Sequence, residues 1–187
     1  MISNISYYKN LKSKSDFNGK LKHNVDLSKF TWLQTGGKAK LFFIPEKLID
    51  LKKFLKNLNI DTPAFILGAG SNTLFRDLGY NGVVIKLSRN FEYIKIINDN
   101  EVKVGAATNC IKLARILARK GASGLEFFSG IPGTIGGAIK MNAGAYEKDT
   151  SDFLRKIKTI NREGEIKYIY PHDYKMIYRE TNFPEEF

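Results

Sequence analysis

Apolar residues fall on a helical repeat over 45–58, where Leu48, Ile49, Leu51, Phe54, Leu55 and Leu58 recur at spacings of three and four with lysines between them. That spacing predicts an amphipathic helix, with Pro45 suited to its first turn. A second repeat, Ile111, Leu113, Ala114, Leu117 and Ala118, predicts a helix over 108–120, with Thr108 as its N-cap and Gly121 as its stop. Short β-rich runs bounded by turn residues predict strands. Thr31 to Gly37 and Ala39 to Ile44 read as a hairpin stopped by Pro45, and Ala64 to Leu67, Val83 to Leu87, Tyr93 to Ile97 and Glu101 to Val104 as further strands. Asn98-Asp99-Asn100 is a turn signal between the last two, and 155–161 and 165–170 flank Arg162-Glu163-Gly164 as a terminal hairpin. Met1 to Lys20 carries Ser, Asn and Lys without a period and reads as a flexible tail. With no fixed-period repeat, the mixed order of strands and helices predicts an α+β chain.

Composition narrows the picture. The 187 residues are 43% apolar and 26% charged, a balance that predicts a soluble globular fold able to form a core without a disulfide or metal. No apolar run reaches signal-peptide or membrane-spanning length, so no membrane insertion is expected. One cysteine, Cys110, and two histidines, His23 and His172, exclude an internal disulfide and a Cys/His zinc site; no metal is expected, and a reducing cytoplasm is the expected location. Lys plus Arg is 30 against 19 for Asp plus Glu, a net charge of +11. Such a charge suits anionic partners, but the lysines are scattered rather than gathered into a stripe, and no specific nucleic-acid partner is expected.

The chemistry-bearing residues lie in glycine-rich stretches. No GxxxxGK[ST] loop occurs, and no GxSxG nucleophile motif has a matching acid and histidine. Directly after the apolar Ala64 to Leu67 comes Gly68-Ala69-Gly70-Ser71-Asn72, a turn whose backbone N–H groups can approach an anion, with Ser71 and Asn72 adding side-chain donors. It departs from the Rossmann fingerprint, because Thr73 stands where the third glycine belongs. The second stretch, Gly130-Ile131-Pro132-Gly133-Thr134-Ile135-Gly136-Gly137 continuing to Asn142 and Gly144, offers main chain unobstructed by side chains to a flat ring or a phosphate. Near the end, Tyr178-Arg179 pairs an aromatic ring with a planar, permanently charged fork suited to a carboxylate or phosphate.

Together, Gly68-Ala69-Gly70-Ser71-Asn72, the run Gly130 to Gly137 with Met141-Asn142-Ala143-Gly144-Ala145-Tyr146, and Tyr178-Arg179 with Phe183 resemble the UDP-N-acetylenolpyruvoylglucosamine reductases, also called UDP-N-acetylmuramate dehydrogenases. Thr31-Trp32 to Gly36-Gly37-Lys38-Ala39 resembles the opening of that family, so the match runs from about Thr31 onward. The resemblance implies a two-subdomain FAD-binding fold of the vanillyl-alcohol-oxidase/PCMH type, divided here as a tail over 1–20 and subdomains over 21–87 and 88–187. It implies FAD as cofactor, NADPH as hydride donor and a UDP-sugar enolpyruvyl ether as substrate, reduced in peptidoglycan precursor synthesis.

Carried over by position, Gly68, Ala69, Gly70, Ser71 and Asn72 hold the FAD pyrophosphate. Gly130, Ile131, Pro132, Gly133, Thr134, Gly136 and Gly137 line the flavin and ribityl region, with Asn142 also binding cofactor. The resemblance further implies Arg179 as the catalytic arginine that polarises the substrate carboxylate, with Tyr178 beside it helping to place the sugar nucleotide. The family's substrate domain, with a proton-donating serine and an assisting glutamate, follows the tyrosine-arginine motif, so its absence up to Phe187 leads to the expectation of a C-terminally truncated chain that turns over little or no substrate alone. Competing readings are a flavin enzyme of the same superfamily with another substrate, an FAD-binding remnant without catalysis, and a basic polyanion-binding protein.

Overall fold

Successive side chains on opposite faces give the four-stranded sheet of the computed structural model, which describes residues 17–184, a core on each side. Strand β1 (Gly19–Asp26) runs antiparallel to β2 (Lys38–Pro45), while β3 (Ala64–Ile66) and β4 (Tyr80–Ile85) lie parallel to one another and β4 parallel to β2, in the order β1-β2-β4-β3. Strand β2 is buried on both faces. Leu41 and Phe43 pack with Val83 and Ile85 against Leu51, Phe54, Leu55 and Leu58 of helix α1 (Leu48–Asn57), whereas Ala39 and Phe42 pack with Val84, Leu27, Leu67 and Phe75 on the other side. The rings of Phe43 and Phe54 stack with centroids 3.9 Å apart.

Three local expectations are corrected here. The partner of β2 is β1, not Thr31 to Gly37; between β1 and β2 the chain makes a 3-10 turn over Leu27–Phe30, capped by Asp26, and then an irregular loop held by Leu27 N–H donating to the Gly37 carbonyl. Pro45 ends β2 instead of opening the helix, which starts at Leu48 because the buried Asp50 carboxylate accepts from the Lys47 N–H. Asp50 also accepts from Asn18, and Phe17 lies in the core, so the tail expected over 1–20 gives way to packed chain from Phe17 onward; 1–16 lie outside the described residues.

The second core forms around helix α2 (Cys110–Arg119), whose Cys110, Leu113, Ala114 and Leu117 pack with Phe127, Phe128, Ile135 and Ala138. Its N-cap is Asn109, accepting from Lys112 N–H, and not Thr108. The Thr108 hydroxyl is fully buried and exchanges hydrogen bonds with both main-chain groups of Tyr93, tying α2 to the hairpin of β5 (Ile94–Asn98) and β6 (Glu101–Val104). Burial pushes the Cys110 thiol up to about 12. Iodoacetamide at mildly alkaline pH should therefore leave folded Cys110 unmodified and alkylate it fully in denaturant; equal rates in both states would show that this core opens readily.

After α2 come a 3-10 turn (Glu126–Gly130), helix α3 (Ile135–Lys140), a further 3-10 turn (Thr150–Asp152) and three small hairpins among the described residues. The hairpins are β7 (Gly144–Ala145) with β8 (Lys148–Asp149), β9 (Ile157–Ile160) with β10 (Ile166–Ile169), and β11 (Lys175–Ile177) with β12 (Glu180–Asn182). The β9–β10 hairpin returns to the first core: Ile160 packs against it, and the Arg162 guanidinium donates to the carbonyls of Asn59, Ile60 and Thr62 at 3.3, 3.1 and 2.7 Å. Among the described residues no helix is long and apolar enough to cross a membrane.

Candidate functional site

The connection from β3 to the parallel β4 leaves the carboxyl end of β3, where parallel sheets characteristically place ligand loops. Gly68 to Asn72 occupy this connection. Gly70 has φ +72°, and a Cβ there would lie 2.0 Å from the Phe30 carbonyl oxygen, so the turn sits directly on the 30–35 loop. Trp32 N–H donates to the Gly70 carbonyl at 3.0 Å. The Lys86 ammonium, at the end of β4, donates to the Gly68 carbonyl, and burial pulls its pKa below the usual lysine value. Within the described residues the N–H groups of Gly68, Ala69, Gly70, Ser71 and Asn72 donate to no other protein group.

The second glycine stretch meets the first. A Cβ on Gly68 would lie 2.7 Å from Thr134 Oγ1, and a Cβ on Gly133 would lie 3.6 Å from Ser71 Oγ. Thr134 is the N-cap of α3, its hydroxyl accepting from Gly137 N–H, and the stretch is pinned from behind by Cys110 N–H to the Gly133 carbonyl, Ile135 N–H to the Thr108 carbonyl and Gly136 N–H to the Ala106 carbonyl. The N–H groups of Gly133 and Thr134 have no protein acceptor within the described residues. Two loops remote in sequence thus lie against each other, each carrying unspent N–H donors, an arrangement suited to an anion with more than one charged group.

Not every glycine of the second stretch is open. Gly136 is pressed against Ala106, with a Cβ position 3.2 Å from it, and Ile131 packs against the second core, while Pro132 is exposed. Gly130 lies under the Tyr146 ring, 3.0 Å from where a Cβ would stand, which joins this loop to the β7–β8 hairpin.

Asn142 is 2% exposed, at φ +38°, with its amide spent inside the protein: Oδ1 accepts from Ser151 N–H at 3.0 Å and Nδ2 donates to the Ile177 carbonyl at 3.1 Å. Arg179 occupies the β11–β12 turn at φ +59°. Its guanidinium donates to the Gly144 carbonyl at 2.9 Å and the Asn142 carbonyl at 3.5 Å, approaches Asp149 at 3.8 Å, and lies 5.0 Å from the centroid of the 80% exposed Tyr178 ring. Thr181, fully buried, donates to the Ile139 carbonyl, anchoring the same turn to α3. The chain of contacts from Gly68 through Thr134, Gly130, Tyr146 and Gly144 to Arg179 joins the three predicted segments in one body. Among the described residues no cluster of three or more His, Cys, Asp and Glu converges as a metal site.

Sequence reasoning missed Lys86. Locally it is only the charged end of an apolar strand, and the parallel pairing of Ile66 with Ile85 is what carries it to the glycine turn.

Residues 39–169 match the model of the FAD binding domain family. The chain belongs to this family. It is 41% identical over 163 residues to the UDP-N-acetylenolpyruvoylglucosamine reductase of Caulobacter vibrioides, a match covering 87% of this chain and 54% of that protein. The chain spans about half the length of the curated relatives it matches. Among solved structures, the UDP-N-acetylenolpyruvylglucosamine reductase of Thermus caldophilus superposes with a TM-score of 0.73 at 31% identity, over 90% of this chain and 58% of that one. A single-residue variant of berberine bridge enzyme superposes with a TM-score of 0.66 at 13% identity, over 88% of this chain and 37% of that one, which shows a shared fold. The expected two-subdomain FAD-binding architecture is therefore the architecture present.

Proposed function

We propose that this chain is the flavin-holding part of a UDP-N-acetylenolpyruvoylglucosamine reductase. The observation that carries the reading is the meeting of the Gly68 to Asn72 turn with Gly133 and Thr134, each bringing unspent N–H donors. An FAD pyrophosphate needs several donors at close range to main chain, and the residues present fit that need: the cradle is lined where a Cβ on Gly68 would collide with Thr134. The backbone of Ala69 to Asn72 and the Ser71 hydroxyl would hold the pyrophosphate, and the open main chain around Gly133 would face the ribityl and ring portion.

Bound FAD would supply hydride relay from NADPH to the enolpyruvyl double bond of a UDP-sugar, which fits a protein whose own side chains offer no redox group at the site. Arg179 would supply a fixed positive charge to the substrate carboxylate, stabilising the negative charge that develops as the double bond is reduced. The carbonyls of Asn142 and Gly144 fix where that guanidinium points, and Tyr178, stacked beside it, presents an exposed ring to the sugar nucleotide.

The chain's single tryptophan makes the test direct. Trp32 is 61% exposed and its backbone is bonded to the Gly70 turn, so adding FAD should quench its emission saturably by energy transfer to the flavin. ADP should compete with FAD and restore the emission. Unquenched Trp32 in a folded chain saturated with excess FAD, with no visible flavin absorbance retained after gel filtration, would overturn the reading.

A further inference from the structure

Two carbonyls of the glycine turn are pinned from outside it, Gly70 by the main chain of Trp32 and Gly68 by the side chain of Lys86. A trans peptide is planar, with its C=O and N–H pointing opposite ways, so fixing the Gly68 carbonyl turns the Ala69 N–H away from Lys86, and fixing the Gly70 carbonyl turns the Ser71 N–H away from Trp32. Those N–H groups are among the unspent donors of the site. The lysine reaches from a fixed origin. Lys86 N–H donates to the Phe43 carbonyl at 2.9 Å and Leu67 N–H to the Ile85 carbonyl at 2.8 Å, locking the ends of β2, β3 and β4 together beneath the turn.

We propose that Lys86 is the positioning residue of this turn, holding the Gly68 carbonyl on one side so that the N–H groups from Ala69 onward converge on the phosphates of one dinucleotide. The identity of the ligand rests on the flavin reading above; the orienting role of Lys86 concerns any anion with adjacent phosphates. A flexible Gly68-Ala69-Gly70 segment without that hold samples peptide orientations that turn its donors away, and the entropy of ordering it is then subtracted from binding.

The test uses Lys86→Met, which keeps the stem and removes the donor, and Lys86→Arg, which restores a donor of similar reach. Binding is measured for FAD by Trp32 quenching and for ADP and inorganic pyrophosphate by calorimetry, on variants that melt cooperatively. The methionine variant is expected to lose about tenfold in affinity for FAD and for ADP alike, the worth of one charge-assisted hydrogen bond, and the arginine variant to recover most of it. Should the methionine variant fail to fold, Lys86→Gln takes its place with the same expected loss, since its amide is too short to span the gap.

Methionine-variant affinities equal to those of the unsubstituted chain, or a loss for FAD without one for ADP, would overturn the proposal. An unsubstituted chain that binds pyrophosphate but neither FAD nor ADP would overturn the flavin reading alone, and Lys86 would then stand or fall on the pyrophosphate loss. A chain that binds none of the three would overturn both.

Discussion

Gly70→Val should abolish measurable FAD binding and lower stability by about 3 kcal/mol, the sum expected of an L side chain in a left-handed conformation and a steric overlap relieved by backbone shift. The residue sits at φ +72°, and its Cβ would stand 2.0 Å from the Phe30 carbonyl oxygen and 3.0 Å from Thr31 Cα. These are main-chain atoms, so no rotamer change clears them. The turn must lift off the 30–35 loop, which breaks the Trp32 to Gly70 hydrogen bond and redirects the N–H groups of the turn. Gly121→Ala is the matched control: φ is +73° there, but nothing lies within 4 Å of the added Cβ. It should cost about 1 kcal/mol from conformation alone and leave FAD binding unchanged. Urea denaturation followed at Trp32, with FAD titration of each variant, measures both effects. A Gly70 variant that binds FAD as the unsubstituted chain does would show that the turn takes no part in holding the cofactor.

The second large effect is expected at Asn142. Replacing it by alanine removes the acceptor of Ser151 N–H and the donor to the Ile177 carbonyl, both partly buried, and puts a residue without Asn's tolerance at φ +38°. Leaving two such groups unpaired should cost about 2–4 kcal/mol. The damage should also spread to Arg179, because Ile177 leads directly into the Tyr178-Arg179 turn and the Arg179 guanidinium rests on the Asn142 and Gly144 carbonyls. Hydrogen exchange of the β11–β12 hairpin should rise sharply in Asn142→Ala while the sheet of β1 to β4 keeps its protection. Asn142→Gly separates the causes, since it relieves the backbone conformation but restores neither hydrogen bond. If the glycine variant is as stable as the unsubstituted chain, the amide contributes nothing and the hold on Arg179 lies elsewhere.

The Asn142 result bears on how a site residue is recognised. In the linear sequence Asn142 lies in a run of small residues that invites a ligand, and its polar side chain reads as part of the binding surface. In the folded chain both ends of the amide are engaged by main chain from two other segments, one of which leads into Arg179's turn. Lys86 shows the converse. Its ammonium reaches the first glycine turn through strand pairing alone, and no local pattern marks it.

Much of the fold was legible because short-range forces decide it. The apolar repeat over 45–58 and that over 108–120 each produced a helix, since a stripe of leucines at spacings of three and four can be buried in one way only. The β5–β6 and β9–β10 hairpins follow their turn residues, Asp99-Asn100 and Arg162-Glu163-Gly164. Element ends were less legible. Helix α1 begins where Asp50 can cap Lys47, and α2 where Asn109 rather than Thr108 can accept, because Thr108 is drawn into the core by Tyr93. The misplaced first hairpin has the same origin: β2 carries apolar residues on both faces, and the strand completing its edge is β1, which has no buried residue and gives little periodic signal.

By itself the sequence determined helices α1 and α2 and the positions of the glycine turns, because each depends on neighbours within a few residues. The tertiary structure alone decided that Gly68 faces Thr134, that Ser71 faces Gly133, that Arg162 ties the late hairpin to the first core, and that Lys86 reaches the turn. Those relations depend on which strands run parallel and which faces of the two cores meet, and long-range packing of that kind leaves no period in the chain.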